Sequence, residues 1–228
     1  MLTTNAGYID SALAGTGVDN KQALILVIGD SLSSGHGIDP EKGWVSLLGH
    51  RLKQKSFSYQ LVNASISGDT TANGLQRLPA LITEYRPAYV LIELGGNDGL
   101  RGLSLKSMKN NLSAMITLAQ QSGAKVLLAG MKIPPNYGKK YTQAFYWVYQ
   151  SLSADYNIPL IPFLLDKVGG QAELMQNDGI HPTAAAQTII LDNAWPYIKK
   201  MLGKESSEVK YKTDIPLTLE DSSYATEN

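Results

Sequence analysis

The sequence contains no cysteine among its 228 residues. This absence excludes disulfide bonds, zinc sites built on thiolates and a cysteine nucleophile. It leaves the redox compartment open, because a cysteine-free chain is compatible with both an oxidising and a reducing environment. The nucleophile of any covalent mechanism must therefore be another residue type.

An excess of charge of either sign is also missing. Lys plus Arg and Asp plus Glu both count 20, so the formal net charge is zero. There is no basic stripe of the kind that binds nucleic acid and no acidic tail that would bind a basic partner. We therefore expect no nucleic acid among the partners of this chain.

Long apolar runs are absent, since none approaches the roughly 18 residues of a membrane span. The first twenty residues lack the basic start and apolar block of a secretory signal. We therefore expect no stable membrane insertion. Two cellular compartments are compatible with the sequence: the chain would be periplasmic if a leader was removed and cytoplasmic otherwise.

Short apolar runs alternate with longer segments of helical periodicity, which is typical of a parallel sheet covered by helices on both faces. The expected strands are residues 23–28, 59–62, 89–94, 125–130 and 158–161. The expected helices are residues 43–54, 72–85, 104–121, 140–155 and 183–201, the last opening with Pro182 in the first helical position. The pattern predicts an α/β fold with a three-layer, doubly wound, parallel five-stranded sheet of the flavodoxin-like kind.

The length of 228 residues fits one domain, and nothing repeats internally. We divide the chain into an N-terminal extension at 1–22, the α/β domain at 23–202 and a polar C-terminal tail at 203–228. The tail, which begins "GKESSEVKYK", has only scattered apolar residues.

The loop after the first strand reads "IGDSLSSGHG" and places Ser31 at a strand-to-helix turn. Such a serine lies at the carboxyl edge of the sheet, where the helix amino terminus favours negative charge. It could equally be a helix N-cap. The spacing matches neither phosphate-binding glycine motif, and Ser33 occupies the second glycine position of the G-x-S-x-G elbow.

Two further loops carry polar or flexible residues at the same edge. Gly68 in "NASISGDTTANG" could let the backbone approach a ligand and donate its N–H, or could be an ordinary turn glycine. Asn97 in "ELGGNDGLRG" could point its amide into a cleft, or could be a turn asparagine.

Only three histidines are present, and one lies in "DGIHP". Asp178 and His181 are close enough in sequence to form a carboxylate–imidazole hydrogen bond, which would orient the ring. The pair could also be a structural cap or half of a metal site. A metal needs more ligands, and His36 and His50 lie in unrelated contexts, so no metal is predicted.

These loops converge if the strand order is 2-1-3-4-5. The first strand would then lie between the second and third, and Ser31, Gly68 and Asn97 would meet at the switch point where α/β sheets bind ligands. This strand order is one of those that doubly wound sheets adopt. The loop before the final helix must still bring His181 to Ser31.

The four segments together resemble the sequence blocks of the GDSL, or SGNH, hydrolase family. They are "GDSL", "NASISGDT", "ELGGNDGLRG" and "DGIHP", and the likeness extends over about residues 23–200. It is strongest to the bacterial multifunctional thioesterase I, lysophospholipase and arylesterase group. The segment "GHGID" after the first block departs from the shared pattern, at a place where that group varies.

The resemblance implies a triad of Ser31, Asp178 and His181. It implies an oxyanion hole formed by the N–H groups of Ser31 and Gly68 and by the side-chain amide of Asn97. Asp30 matches the motif without a triad role and is interpreted as structural. No cofactor is implied.

The resemblance also implies hydrolysis of aryl esters, acyl thioesters and possibly lysophospholipids, with small-molecule substrates and a monomer or weak oligomer. The expected acyl-chain contacts are Leu100, Ile133, Pro134 and Tyr137, and short to medium chains are expected to fit best. Two alternatives stay open: a carbohydrate-acetyl esterase, and a flavodoxin-like binding module without catalysis.

Overall fold

A computed structural model of the chain describes residues 22–203. Five parallel strands form one sheet in the order β2-β1-β3-β4-β5, which confirms the predicted fold class and strand order. The predicted terminal extension and tail lie outside the described residues, apart from Gln22 and Gly203. The strands are β1 (Ala23–Gly29), β2 (Tyr59–Asn63), β3 (Tyr89–Glu93), β4 (Lys125–Ala129) and β5 (Leu160–Ile161).

The central strands are buried because helices cover both faces of the sheet. Every residue of β3 is buried, as are all residues of β1 after Ala23, whereas the edge strand β2 is partly exposed. In the register, Gly29 of β1 is paired with Glu93 of β3. The last residues of these two strands therefore lie side by side, and so do the loops that follow them.

Seven α-helices lie within residues 22–203. On one face α2 packs against α7, and on the other α3 packs against α5, which in turn packs against α6. Trp44, Phe145 and Tyr149 are among the largest fully buried side chains. The helices are α1 (Ser31–Ser34), α2 (Trp44–Gln54), α3 (Thr71–Tyr85), α4 (Gly96–Leu100), α5 (Leu105–Gln121), α6 (Lys139–Tyr156) and α7 (Gln187–Leu202).

The prediction that the last helix spans 183–201 with Pro182 in its first position is wrong. Residues Ala184–Ala186 form a 3-10 turn, and α7 begins only at Gln187. Pro182 instead pairs with Met175 in an isolated antiparallel bridge. Proline fits there because the flanking residues, and not Pro182 itself, supply the backbone hydrogen bonds.

Across residues 22–203 no helix combines the length and the apolar character needed to cross a bilayer.

Candidate active site

Ser31 lies at the turn between β1 and α1, at the carboxyl edge of the sheet. The Asp30 carboxylate caps α1 by accepting a hydrogen bond from the backbone N–H of Leu32 at 3.0 Å. The helix cap is therefore Asp30 and not Ser31. Gly29 is required before it, because a Cβ at that position would lie 2.7 Å from the Glu93 carboxylate. Ser31 is the first residue of α1, so no helical carbonyl accepts its N–H, which is available to a ligand.

Gly68 and Asn97 lie on the two neighbouring loops. Gly68 has a φ of 85°, in the left-handed region that favours glycine. Its carbonyl accepts a hydrogen bond from Arg101 Nη2 at 3.0 Å. The Asn97 amide donates to the backbone carbonyl of Asp69 at 3.0 Å and to Asp30 Oδ2 at 3.2 Å. Asn97 therefore links the loops after β1, β2 and β3, as the strand order predicts.

Asp178 and His181 form the hydrogen-bonded pair that their spacing predicts. His181 Nδ1 lies 2.6 Å from Asp178 Oδ2. The other carboxylate oxygen accepts the backbone N–H groups of Ile180 at 2.9 Å and of His181 at 3.0 Å. These bonds, the one from the His181 ring first, hold the pKa of the Asp178 carboxyl well below its usual range. The carboxylate therefore stays ionised at neutral pH and orients the ring with Nε2 directed away from it.

The backbone around His181 is fixed by the bridge to the segment before it. Gln176 donates its backbone N–H to the His181 carbonyl at 2.7 Å, and Thr183 donates to the Leu174 carbonyl at 2.8 Å. These two bonds flank the paired residues Met175 and Pro182. The loop that carries the imidazole is therefore held in shape by a local two-stranded contact that forms before the start of α7.

Ser31, Asn97 and His181 line one cleft of about 570 Å³ at the carboxyl edge of the sheet. A hydroxyl, an amide and an imidazole from three distant parts of the chain thus face the same space. Gly68 does not line the cleft but borders it through its bond to Arg101, which does. A cleft of this size is in the usual range for small-molecule sites.

Three of the four expected acyl-chain residues line this cleft, namely Leu100, Ile133 and Pro134. Tyr137 is not a lining residue. Its hydroxyl donates to the Leu100 carbonyl at 2.8 Å, so it supports the wall from behind. The wall is otherwise mostly apolar, with Met131, Phe163, Leu165, Met175 and Ile180 among its members.

Two carboxyl groups lie buried beneath Ser31. Burial raises the pKa of Asp30 to about 6 and raises the pKa of Glu93 well above its usual value, with the neighbouring Asp30 charge adding to the effect on Glu93. Glu93 Oε2 accepts the Ser33 hydroxyl at 2.7 Å, whereas Glu93 Oε1 has no hydrogen-bond partner. Glu93 was not predicted to belong to the site, although an acid at the end of the apolar run "YVLIEL" is a readable signal.

Replacing Glu93 with glutamine should change how stability depends on pH. Because its pKa is raised in the folded protein, Glu93 favours folding while it is protonated, and that contribution is lost as the pH rises above the ordinary glutamate value. Glu93→Gln mimics the protonated form. Its melting temperature should match that of the wild type near pH 5 and exceed it at pH 8.

Thermal unfolding of both proteins at the two pH values measures the effect. Glu84→Gln, at an exposed position of α3, is the matched control and should leave the pH dependence unaltered. A Glu93→Gln variant that loses as much stability between pH 5 and pH 8 as the wild type would contradict the assignment.

His36 is not in an unrelated context, contrary to the prediction. Its ring centroid lies 4.3 Å from that of His181, with the ring planes tilted by 41°. The sequence offered no periodic signal for this contact, which depends on how two loops pack. Within residues 22–203 no group of three or more His, Asp or Glu side chains could hold a metal ion.

A second cavity, of about 590 Å³, lies near the start of β4 and contains none of the residues from the four sequence blocks. It includes Lys125, Asn157 and Lys200. It shares no lining residue with the Ser31 cleft.

Known proteins resemble the chain across this fold. Residues 27–189 match the model of the GDSL-like lipase/acylhydrolase family, which is more than half of the chain. Esterase TesA of Pseudomonas aeruginosa is 52% identical over 178 residues, covering 78% of this chain and 89% of that protein. Thioesterase 1/protease 1/lysophospholipase L1 of Escherichia coli K12 is 41% identical over 168 residues, covering 74% of this chain and 79% of that protein.

The fold is also similar to that of a solved esterase structure. The crystal structure of the psychrotrophic esterase EstA from a Pseudoalteromonas species, inhibited by monoethylphosphonate, superposes with a TM-score of 0.76 at 42% identity. The match covers 79% of this chain and 99% of that one. The chain therefore belongs to the GDSL-like lipase/acylhydrolase family.

Proposed function

We propose that this protein is a serine esterase and thioesterase that works through an acyl-enzyme on Ser31. The observation that carries the proposal is that His181, hydrogen-bonded to Asp178 at 2.6 Å, lines the same cleft as Ser31. A hydroxyl is a weak nucleophile until a base removes its proton, and an imidazole oriented by a carboxylate is such a base. All the groups come from one chain, which fits a monomer or weak oligomer.

In the first half of the reaction Ser31 Oγ bonds to the acyl carbon while its proton passes to His181 Nε2. The tetrahedral intermediate then collapses, the bond from carbon to the alcohol oxygen or thiol sulfur breaks, and His181 returns the proton to the leaving group. In the second half water attacks the acyl-enzyme and gives a proton to His181. Collapse breaks the bond to Ser31 Oγ and restores the serine proton.

We infer that three donors bind the oxyanion: the N–H groups of Ser31 and Gly68 and the Asn97 amide. Such donors act where the negative charge develops, and losing one typically lowers kcat by about 10²–10³. The Asn97 amide makes two hydrogen bonds, and the one to Asp30, at 3.2 Å, is the longer. We infer that the hydrogen of this longer bond turns to the oxyanion, while the bond to the Asp69 carbonyl keeps the amide in place.

The apolar wall of the cleft supports a substrate with an acyl chain. Leu100, Ile133 and Pro134 would contact the chain, and Tyr137 would hold Leu100 in position. The relatives carry the names esterase, thioesterase and lysophospholipase, which supports aryl esters, acyl thioesters and possibly lysophospholipids as the substrate class. The mainly apolar lining argues against the polar groove that a carbohydrate-acetyl esterase needs.

A substrate panel tests this proposal. Nitrophenyl esters from acetate to palmitate should give the highest kcat/KM at short to medium chain length, because the cleft of about 570 Å³ limits the acyl group. Acyl-CoA and lysophospholipid of matched chain length extend the comparison to the other leaving groups. A maximum at palmitate would contradict the predicted chain length.

A fluorophosphonate probe and a polar substrate separate the alternatives. The wild-type protein should react covalently with the probe and hydrolyse phenyl acetate faster than acetylated xylan. Preference for acetylated xylan would favour the carbohydrate-acetyl esterase. If the protein is not labelled and hydrolyses no ester, the binding module becomes the better account.

A further inference from the structure

The imidazole of His36 packs against that of His181, with ring centroids 4.3 Å apart. His36 follows α1, whereas His181 lies in the loop before α7, so the contact joins the segment that carries Ser31 to the one that carries the base. His36 is not among the residues that line the cleft. It therefore touches His181 from outside the space where substrate would bind.

His36 is itself fixed at three points. Its backbone N–H donates to the Ser31 carbonyl at 3.1 Å, and its carbonyl accepts Gln176 Nε2 at 2.8 Å. Its ring Nδ1 lies 3.4 Å from the Ser67 hydroxyl. Gln176 Nε2 also donates to the Pro182 carbonyl at 2.9 Å, so one amide ties the two loops together. The backbone of His36 is thus fixed at two points, and its exposed ring is held by the Ser67 hydroxyl beside the contact with His181.

We propose that His36 is a positioning residue that confines the His181 imidazole to the pose in which Nε2 faces Ser31. This inference rests on the proposed function, since it takes His181 to be the general base. Asp178 holds only one edge of that ring, through Nδ1. A ring bonded at one edge can still pivot about that bond. The His36 ring, which packs against the His181 ring, blocks this motion.

The test compares three histidine variants by kcat and KM on phenyl acetate. His36→Ala should lower kcat by about tenfold to a hundredfold, since misplacing a catalytic group by about 1 Å costs up to roughly 10². Its KM should stay near that of the wild type. His36→Phe keeps a ring at the contact and should recover most of kcat. His50→Ala, at an exposed position of α2, is the matched control and should match the wild type.

The outcomes distinguish this inference from the proposed function. Wild-type protein that is active and labelled by fluorophosphonate, together with a folded His36→Ala that keeps full kcat, would overturn the inference alone. A His36→Phe as slow as His36→Ala, with equal melting temperatures, would overturn the packing role. Wild-type protein that neither hydrolyses esters nor reacts with the probe would instead overturn the proposed function.

Discussion

Ser31→Ala should abolish ester hydrolysis, with kcat lower by about 10⁶-fold, because in the proposed mechanism the residues of the triad act as a unit and no acyl-enzyme can form without the nucleophile. Ser31 lines the same cleft as His181 and lies at the start of α1, where the Asp30 cap fixes the turn. The measurement is kcat on phenyl acetate, with labelling by fluorophosphonate as a second readout. Both should disappear together.

Ser107→Ala is the control for this experiment, since Ser107 is an exposed serine in the first turn of α5, away from the cleft. It should keep wild-type kcat and labelling. The melting temperature of Ser31→Ala should stay close to that of the wild type, because Asp30 and not Ser31 caps the helix. A folded Ser31→Ala that still forms a covalent adduct would show that another residue is the nucleophile.

His181→Ala should lower kcat almost as far, by about 10⁶-fold. Without the imidazole no base takes the serine proton, and Asp178 cannot replace it because it bonds to the Nδ1 edge of the ring and does not line the cleft. The double variant Ser31→Ala/His181→Ala should be no slower than either single one, because each change already removes the same proton-transfer unit. Kinetics of the three variants measure this non-additivity.

His50→Ala again serves as the matched histidine control, at an exposed position on α2. A His181→Ala variant that retained more than about a tenth of wild-type kcat would contradict the general-base role, since losing a triad member costs far more than that. A double variant with multiplied losses would contradict the interpretation that the two side chains act as one unit.

The parallel sheet could be predicted from the sequence because strands covered on both faces are nearly continuous apolar runs. The run at 89–94 became β3, which is buried throughout. The run at 158–161 gave only two residues of strand, Leu160–Ile161, at the sheet edge, where fewer partners fix the backbone. The short helix α4 was not predicted, and α1 was expected only as a helix after the turn at Ser31, without bounds, since four or five residues rich in serine or glycine carry no helical period.

The convergence of the site could be predicted in part. The Asp178–His181 bond follows from sequence spacing, and the presence of Ser31 and Asn97 in one cleft, with Gly68 at its border, follows from the strand order. The catalytic and oxyanion-hole roles of these residues stay predictions.

The errors concern contacts between loops, which no periodicity encodes. The segment around Pro182 forms an antiparallel bridge and not a helix start. His36 was assigned no part in the site because nothing in its own loop points to His181. The packing of the two loops against each other creates that contact.

A crystal structure of the protein after reaction with a phosphonate ester tests the central claim most directly. The account predicts phosphorus bonded to Ser31 Oγ and His181 Nε2 within hydrogen-bond reach, about 2.6–3.2 Å, of the serine oxygen or leaving-group position. It also predicts the phosphoryl oxygen about 2.7–3.1 Å from the N–H groups of Ser31 and Gly68 and from the Asn97 amide. An adduct on another residue, or His181 turned out of reach of Ser31, would contradict it.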